Sequence, residues 1–458
     1  MEFVNTFLSL IFSNMSTYII ILLLVFLVYG LILKKHIYSL FDPFTIMIFS
    51  NVISTSVVIF MKYFNLCSNY QFAGYVLTES ALLFGLITFK PIKLGVSETI
   101  EIEFKLIEKY FDENFYKMFF IIISFSFIIL YIIFYYKYGI PLFQRGSRLD
   151  NIKNAGYVSS LSTGIKIFIT IMIIRNISRF KLETMRFNLF NIMMAIVLVL
   201  TIFLSGSRSS IIGIIQFATL YFIFSSKKSF NLSTWRRINK VLLILAVVAV
   251  VTAMVLTTVR INIDYAGQVD KPSLLRYVTI RIISFGDVYI YNYLPHVKYA
   301  GGTVANGLLL IFSPIILIIK SFLGIFGLHI INNFPQPIGL TMYQVVNKTL
   351  VIGGPNSRHN VFGIFYFGMF GGVVLSYIIG LTISLCRNHL FRKLKYTYSN
   401  LLLYTTLSYI TINMISDISL AMAYLKYAFL VAIIFGTVTY LVLRIIEVVK
   451  KGVNSSVH

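Results

Sequence analysis

Charge is scarce in this chain, and acid is scarcer still. Of 458 residues only 12% are Asp, Glu, Lys or Arg, and 16 are acidic. A soluble domain carries about 25% charged residues, so that class is excluded. Cysteine is almost absent: Cys67 and Cys386 stand alone and form no metal motif. There is no internal repeat and no low-complexity tract, which removes solenoids and disordered linkers. In place of all these there are long apolar runs, with 58% hydrophobic residues overall. Several reach roughly 18 residues, enough to cross a ~30 Å hydrocarbon core. The runs are continuous and do not alternate, which excludes a β-barrel. The expected fold is all-α, a polytopic membrane protein with about 11–12 transmembrane helices in a single integral membrane domain, residues 1–458.

Spans are expected at 17–33, 43–61, 71–89, 118–136, 160–177, 188–205, 209–225, 241–258, 361–385, 401–416 and 421–443. Residues 3–13 are apolar but short, a further span or an interfacial helix, and the first apolar segment is expected to act as an uncleaved anchor. The net charge of +23 does not signal nucleic acid here, because the basic residues gather in loops on one side. Those loops are Lys34–His36, Arg175–Arg186, Lys227–Lys240, Cys386–Tyr396 and Arg444–Lys451, and the positive-inside rule makes that side the cytoplasm. This topology sets Cys67 and Cys386 on opposite faces, so no disulfide is expected. Ser97–Lys117 also falls inside and reads as a solvated amphipathic helix.

The region 259–360 is too long for a simple turn and is expected to be a large periplasmic loop. It contains the apolar run Ala305–Gly327. A single crossing there would invert every later loop, so a re-entrant segment, a hairpin broken near Pro314 or an interfacial helix is expected.

Against the positive-inside rule, the outer face holds Arg145, Arg148, Arg208, Arg260, Arg276, Arg281 and Arg358. Arginine offers a fork of donors suited to phosphate, so this face is read as an anion site for a phosphate or diphosphate; snorkelling to headgroups is the plainer alternative. Arg208 lies in the turn "LSGSRSSIIG" at a helix start, where small hydroxyl residues and the helix N-terminus favour an anion. Arg276, Arg281 and Asp287 share "RYVTIRIISFGDVYIY". Glu79 falls inside a span, where a carboxylate is either functional or paired with a neighbouring helix. "GGPNSRHNVFGIFYFGMFGG" puts Arg358 and His359 at the outer mouth of a helix, followed by glycines read mainly as helix-packing surface.

These motifs resemble the O-antigen polymerases, the Wzy family of oligosaccharide repeat-unit polymerases. The likeness rests on "LSGSRSSIIGI", on the long outer loop before the last three helices, and on "GPNSRHNVFGIFYFGMFGGVV". A weaker echo is Arg145 followed by Gly156, as in a loop motif of some members. The resemblance is strong in about 40 residues, and the membrane part also looks GT-C-like. It implies transfer of a growing chain from undecaprenyl diphosphate to the next undecaprenyl-diphosphate-linked repeat unit. This would take place on the periplasmic face of a bacterial inner membrane, with a separate chain-length regulator as partner. Diphosphate binding then falls to Arg208, Arg276, Arg281, Arg358, Arg145 and Arg148. The candidate bases are His359 and Asp287, with His296 and His329 as alternatives. No metal and no cofactor is expected, because no carboxylate pair on the outer loops has metal-ligand spacing. The rival readings are an O-antigen ligase, which shares a His-Asn pair before a glycine-bearing helix, and a lipid-linked oligosaccharide flippase.

Overall fold

The computed structural model describes residues 2–93, 113–144, 155–178, 185–229, 232–264, 274–293, 302–325, 335–347 and 354–455. Among them there is no β-strand. The helices are α1 (Glu2–Ser13), α2 (Met15–Leu33), α3 (Pro43–Tyr63), α4 (Asn69–Ile87), α5 (Glu113–Tyr138), α6 (Gly156–Ser178), α7 (Met185–Leu204) and α8 (Arg208–Ser229). They continue as α9 (Leu232–Asp264), α10 (Leu274–Ile283), α11 (Asp287–Asn292), α12 (Val304–Ile325), α13 (Ile338–Asn347), α14 (His359–Ser384), α15 (Tyr398–Asn413) and α16 (Ile418–Ser455). Local chemistry sets several starts. Asp42 caps α3, accepting from the Phe44 N–H at 3.0 Å, with Pro43 at the first helical position. Ser68 and Gln71 close a reciprocal capping box on α4.

Eight of the described helical stretches are long and apolar enough to cross a membrane: Met15–Leu33, Pro43–Tyr63, Glu113–Phe143, Val158–Ser178, Ser210–Lys227, Ile238–Val259, His359–Lys393 and Ile418–Val449. Their outer faces suit lipid. Ile20, Leu23, Leu24, Leu27 and Leu31 of α2 are all exposed, a stripe that water would not tolerate at this size. The protein is therefore a multi-pass membrane protein. At 12 residues α1 is too short to cross, and it packs Phe7 edge-on against Phe60.

By packing, the chain divides into two compact units. The first comprises Met1–Lys93, Thr257–Leu390 and Ser408–Ala423; the second comprises Leu94–Leu256, Phe391–Leu407 and Tyr424–His458.

In the first unit α4 runs along α14 with backbones in contact. A methyl placed on Gly380 would fall 2.9 Å from the Leu86 nitrogen and 3.0 Å from the Gly85 Cα. Two glycines thus let the helices approach as small residues do in membranes. Gly74 faces Ile364 and Met369, and the Phe89 N–H donates to the Ser384 hydroxyl at 3.2 Å, so α4 and the later part of α14 run in the same direction.

The span expected at 361–385 is not one straight helix. At Gly368 the backbone takes φ 70°, ψ −176°, a region open only to glycine, and the chain folds back on itself. Gly363 meets Gly372, and His359 Nδ1 lies 2.9 Å from the Ser376 hydroxyl. In a straight helix 17 residues would set these two about 25 Å apart. Gly368 is thus a bend, whereas Gly363, Gly372 and Gly380 are packing surface.

At the far end of α14, the expectation that two basic loops share one side is met. Arg387 pairs with Asp42 and donates to the His36 carbonyl at 2.7 Å, while Asn388 donates to the Phe89 carbonyl at 3.2 Å. Cys67 stands just beyond the other end of α3, and both cysteines are buried and free.

The run Ala305–Gly327 corrects one expectation. It is no hairpin broken at Pro314. Val304–Ile325 is one continuous helix with Pro314 inside it. Gly307, Leu310 and Pro314 are buried on one side, with Gly307 against Tyr366 and Phe367. Leu308, Phe312, Ile315 and Ile319 are exposed on the other.

The second unit packs α6 against α5, α7 and α8. Its polar interior lies at one helix end. The Arg175 guanidinium sits between the rings of Tyr116 and Tyr398, at 4.0 and 3.9 Å from their centroids. Asn176 accepts from Arg175 at 3.1 Å and donates to Asn191 at 2.8 Å. Nearby Lys227 donates to the carbonyls of Arg392 and Leu394.

Candidate functional site

The fold-back at Gly368 changes where Arg358 and His359 stand. The sequence places them at the outer mouth of a span. In the structure they lie inside the first unit, level with the middle of its helices. Arg358 reaches Ser50 and Asn51, eight and nine residues into α3 from its cap, about 12 Å along the helix. Glu79, one residue past the midpoint of α4, is beside them. Exposure is 2% for Arg358, 0% for His359 and Asn360, and 6% for Glu79.

The backbone arrives under strain. Arg358 has φ 48°, ψ 144°, unusual for a residue with a side chain. It is held there by the turn between α15 and α16: the Arg358 N–H donates to the Ser416 carbonyl at 2.9 Å and the His359 N–H to the Ile415 carbonyl at 3.3 Å. Asn356 donates to the Ser416 hydroxyl at 2.9 Å. The Ser357 N–H approaches Asp417 at 3.5 Å, and Asp417 also caps α16 through Leu420 at 3.0 Å. Two breaks in helical structure therefore satisfy each other's main-chain groups, which is the condition for burying either.

Glu79 is the hub. Its Oε1 accepts from the Tyr29 hydroxyl at 2.6 Å and from the Asn51 amide. Its Oε2 accepts from Asn360 Nδ2 at 3.1 Å and lies 3.4 Å from His359 Nε2, which forms no hydrogen bond with it. Three hydrogen-bond donors around two oxygens lie within what a carboxylate can accept. Asn51 bridges the opposite charges: its amide nitrogen faces Glu79 and its oxygen accepts from Arg358 Nη1 at 3.2 Å. Only that orientation of the amide suits both ions. Arg358 Nη2 donates to the Ser50 carbonyl at 3.2 Å and to the Phe285 carbonyl at 2.9 Å. Asn360 accepts from the Tyr289 hydroxyl at 2.6 Å. Thr55 lies between the hydroxyls of Tyr75 and Tyr29, at 2.6 and 3.1 Å.

This geometry revises the anion-site expectation for Arg358. Both of its terminal nitrogens are committed inside the protein, so it stands in no open mouth and serves to join α3, α14 and the Phe285 elbow. His359 does not cap its helix: its ring lies between Ser376 and Glu79. The other predicted residues are placed as follows. Arg208 is the first residue of α8 in the second unit, and Arg276 and Arg281 lie on α10 in the first. Asp287 heads α11, half-buried, two residues before Tyr289. Arg145, Arg148, His296 and His329 lie outside the described residues, as does most of Ser97–Lys117. Among the described residues, no group of three His, Cys, Asp or Glu could hold a metal.

Sequence reasoning singled out Glu79 and the adjacent pair Arg358 and His359 but did not join them; it met Asn360 only in the His-Asn pair of the ligase reading, and it missed Tyr29, Asn51 and Tyr289. One signal was present. Ser50, Asn51, Ser54 and Thr55 form a polar stripe at helical spacing in an otherwise apolar span, and a membrane helix buries such a stripe against a polar partner.

The fold and centre define a class: a multi-pass helical membrane protein with an ionic centre buried among its helices. Compared with family models, curated proteins and solved structures, the chain matches none.

Proposed function

We propose that this chain is an oligosaccharide repeat-unit polymerase of the O-antigen type. It acts on the periplasmic face of a bacterial inner membrane and passes a growing glycan from undecaprenyl diphosphate to the next lipid-linked repeat unit. One observation supports this reading above the others. The segment that carries the family resemblance, "GPNSRHN", leads through the strained Arg358 into α14 and buries Arg358, His359 and Asn360 around Glu79. A plain membrane scaffold fills such a position with apolar side chains, because an intramembrane ion is costly and is kept for function.

In the transfer, the acceptor hydroxyl attacks the donor's anomeric carbon. The bond to the diphosphate breaks, and its electron pair leaves with undecaprenyl diphosphate. Arginines stabilise the charge that develops on that leaving group. Arg276 and Arg281 of the first unit are assigned this task, and Arg208, Arg145 and Arg148 are retained as candidates from the sequence alone. Arg358 and His359 are assigned to holding the centre. The hydroxyl proton passes to Asp287, the half-buried carboxylate at the head of α11.

The test is a deletion strain. The expected phenotype is a lipopolysaccharide ladder reduced to core plus a single repeat unit. Core with no repeat overturns the reading in favour of a ligase or flippase. Complementation with Arg208→Ala, Arg281→Ala or Asp287→Asn should leave the ladder collapsed at unchanged protein level, and Arg208→Lys should restore it poorly. Full-length ladders from all of these would remove the residue assignments.

A further inference from the structure

Glu79 has no place in the transfer chemistry described above, yet two relays lead from it to the elements that carry that chemistry. The first runs from Glu79 Oε2 to Asn360 and on to the Tyr289 hydroxyl, at 3.1 and 2.6 Å. Tyr289 lies on α11, two residues after Asp287, and is fully buried. The second runs from Glu79 Oε1 through Asn51 to Arg358 and ends on the Phe285 carbonyl at 2.9 Å. Phe285 is four residues beyond Arg281, in the turn that joins α10 to α11. The same carbonyl accepts from the Ser54 hydroxyl at 2.9 Å, and Gly286 next to it packs against Val57, where a methyl would fall 2.8 Å from the valine Cβ. The α10–α11 elbow is thus pinned to α3 at one point and tied to a single buried carboxylate by two paths.

We propose that Glu79 is a positioning residue for the transfer reaction, setting Asp287 through the Asn360–Tyr289 relay and the α10 arginines through the Asn51–Arg358–Phe285 relay. It touches no substrate. A carboxylate suits the task because it accepts from Tyr29, Asn51 and Asn360 at once and has His359 beside it, so each relay is held by a charged acceptor, the stronger kind of hydrogen bond. An amide at the same place presents a donor to groups that also donate, and it loosens both relays without leaving a cavity. This inference rests on the proposed polymerase reading.

The test uses the purified full-length protein and lipid-linked repeat units, in a double-mutant cycle of Glu79→Gln with Tyr289→Phe. Each variant alone should lower kcat per folded molecule roughly tenfold and leave KM within about twofold, the pattern of a lost transition-state alignment. Together they should cost little more than Glu79→Gln alone, because Tyr289→Phe interrupts one of the two relays that the glutamine already loosens. Glu79→Asp, which keeps the charge one methylene shorter, should recover part of kcat; it also serves in the cycle should the glutamine variant fail to accumulate. Losses that multiply, or a kcat per folded molecule equal to wild type with only yield and Tm reduced, would show a purely structural carboxylate and overturn the inference while the polymerase reading stands. Wild-type protein that extends no lipid-linked repeat units would overturn that reading, and this inference with it.

Discussion

Arg358 in the first unit and Arg175 in the second are both almost wholly withdrawn from solvent, at 2% and 7% exposure, yet they are buried by different means. Arg175 lies on an unbroken helix, sandwiched between two tyrosine rings, with one hydrogen bond to Asn176 and its Nε left without an acceptor. Its flat face supplies the contact, and its charge is only weakly answered. Arg358 lies on strained backbone at a helix break, and it directs its terminal nitrogens into carbonyl oxygens and, through Asn51, toward a carboxylate. The first arrangement glues helices together. The second fixes a geometry that the backbone would not choose. Strain that surrounding structure must hold in place is a mark of functional centres, and only the first unit shows it among these two arginines.

Arg358→Ala tests that contrast most severely. It strips the Phe285 and Ser50 carbonyls and Asn51 of their partner and leaves Glu79 without its bridged counter-charge. Breaking a buried ionic arrangement on one side costs about 3–5 kcal/mol. Folded protein recovered in detergent should fall steeply and the ladder should disappear. Arg358→Lys should fare almost as badly, since one ammonium cannot serve Asn51, Ser50 and Phe285 together. If lysine restores both folding and the ladder, the two arginines differ less than their surroundings suggest.

Next in size is Gly368→Ala. Open space surrounds the site of the added methyl, so the whole effect comes from the backbone at φ 70°. A cost of about 1–3 kcal/mol is expected, read as a lower thermal midpoint. The bend brings His359 to Ser376, so the ladder should shorten as well. Gly206→Ala has the same sign of φ, at 62°, but lies in the second unit between α7 and α8. It should cost stability by the same backbone route.

Arg175→Lys should cost only about 1 kcal/mol, the worth of the lost stacking, because the charge and the apolar stem persist. Full-length ladders are expected. A collapsed ladder at normal protein level would make Arg175 part of the function and undo the distinction between the units.

The helices were legible because their signal is local. Ten of the eleven expected spans coincide with a helix to within five residues at its start, since apolar length and caps such as Asp42 and Ser68 act within one turn; the exception is 241–258, whose helix begins at Leu232. The centre was not legible. Glu79 and Asn360 are 281 residues apart, and nothing in either stretch encodes the other. The bend at Gly368 was hidden among five similar glycines, because a packing glycine and a turning glycine look alike until φ is known. Proline misled in the opposite direction: Pro314 suggested a broken hairpin, but Val304–Ile325 runs through it as one helix, with Pro314 on its buried side.

The smallest expected effect separates the units by pH. His36 lies in the loop after α2, where burial and the nearby Arg387 guanidinium push its pKa down from 6.5 to about 4. The folded state therefore resists a proton that the unfolded chain takes up more readily. Its contribution to stability is fully present above pH 6.5 and is lost as pH falls from 6.5 toward 4. Thermal midpoints in detergent should decline modestly across that window, and His36→Gln should flatten the decline. Arg175→Lys should leave it unchanged, since no histidine stands among the described residues of the second unit. A decline that survives His36→Gln would overturn this attribution and remove the loop after α2 as the acid-sensitive part of the molecule.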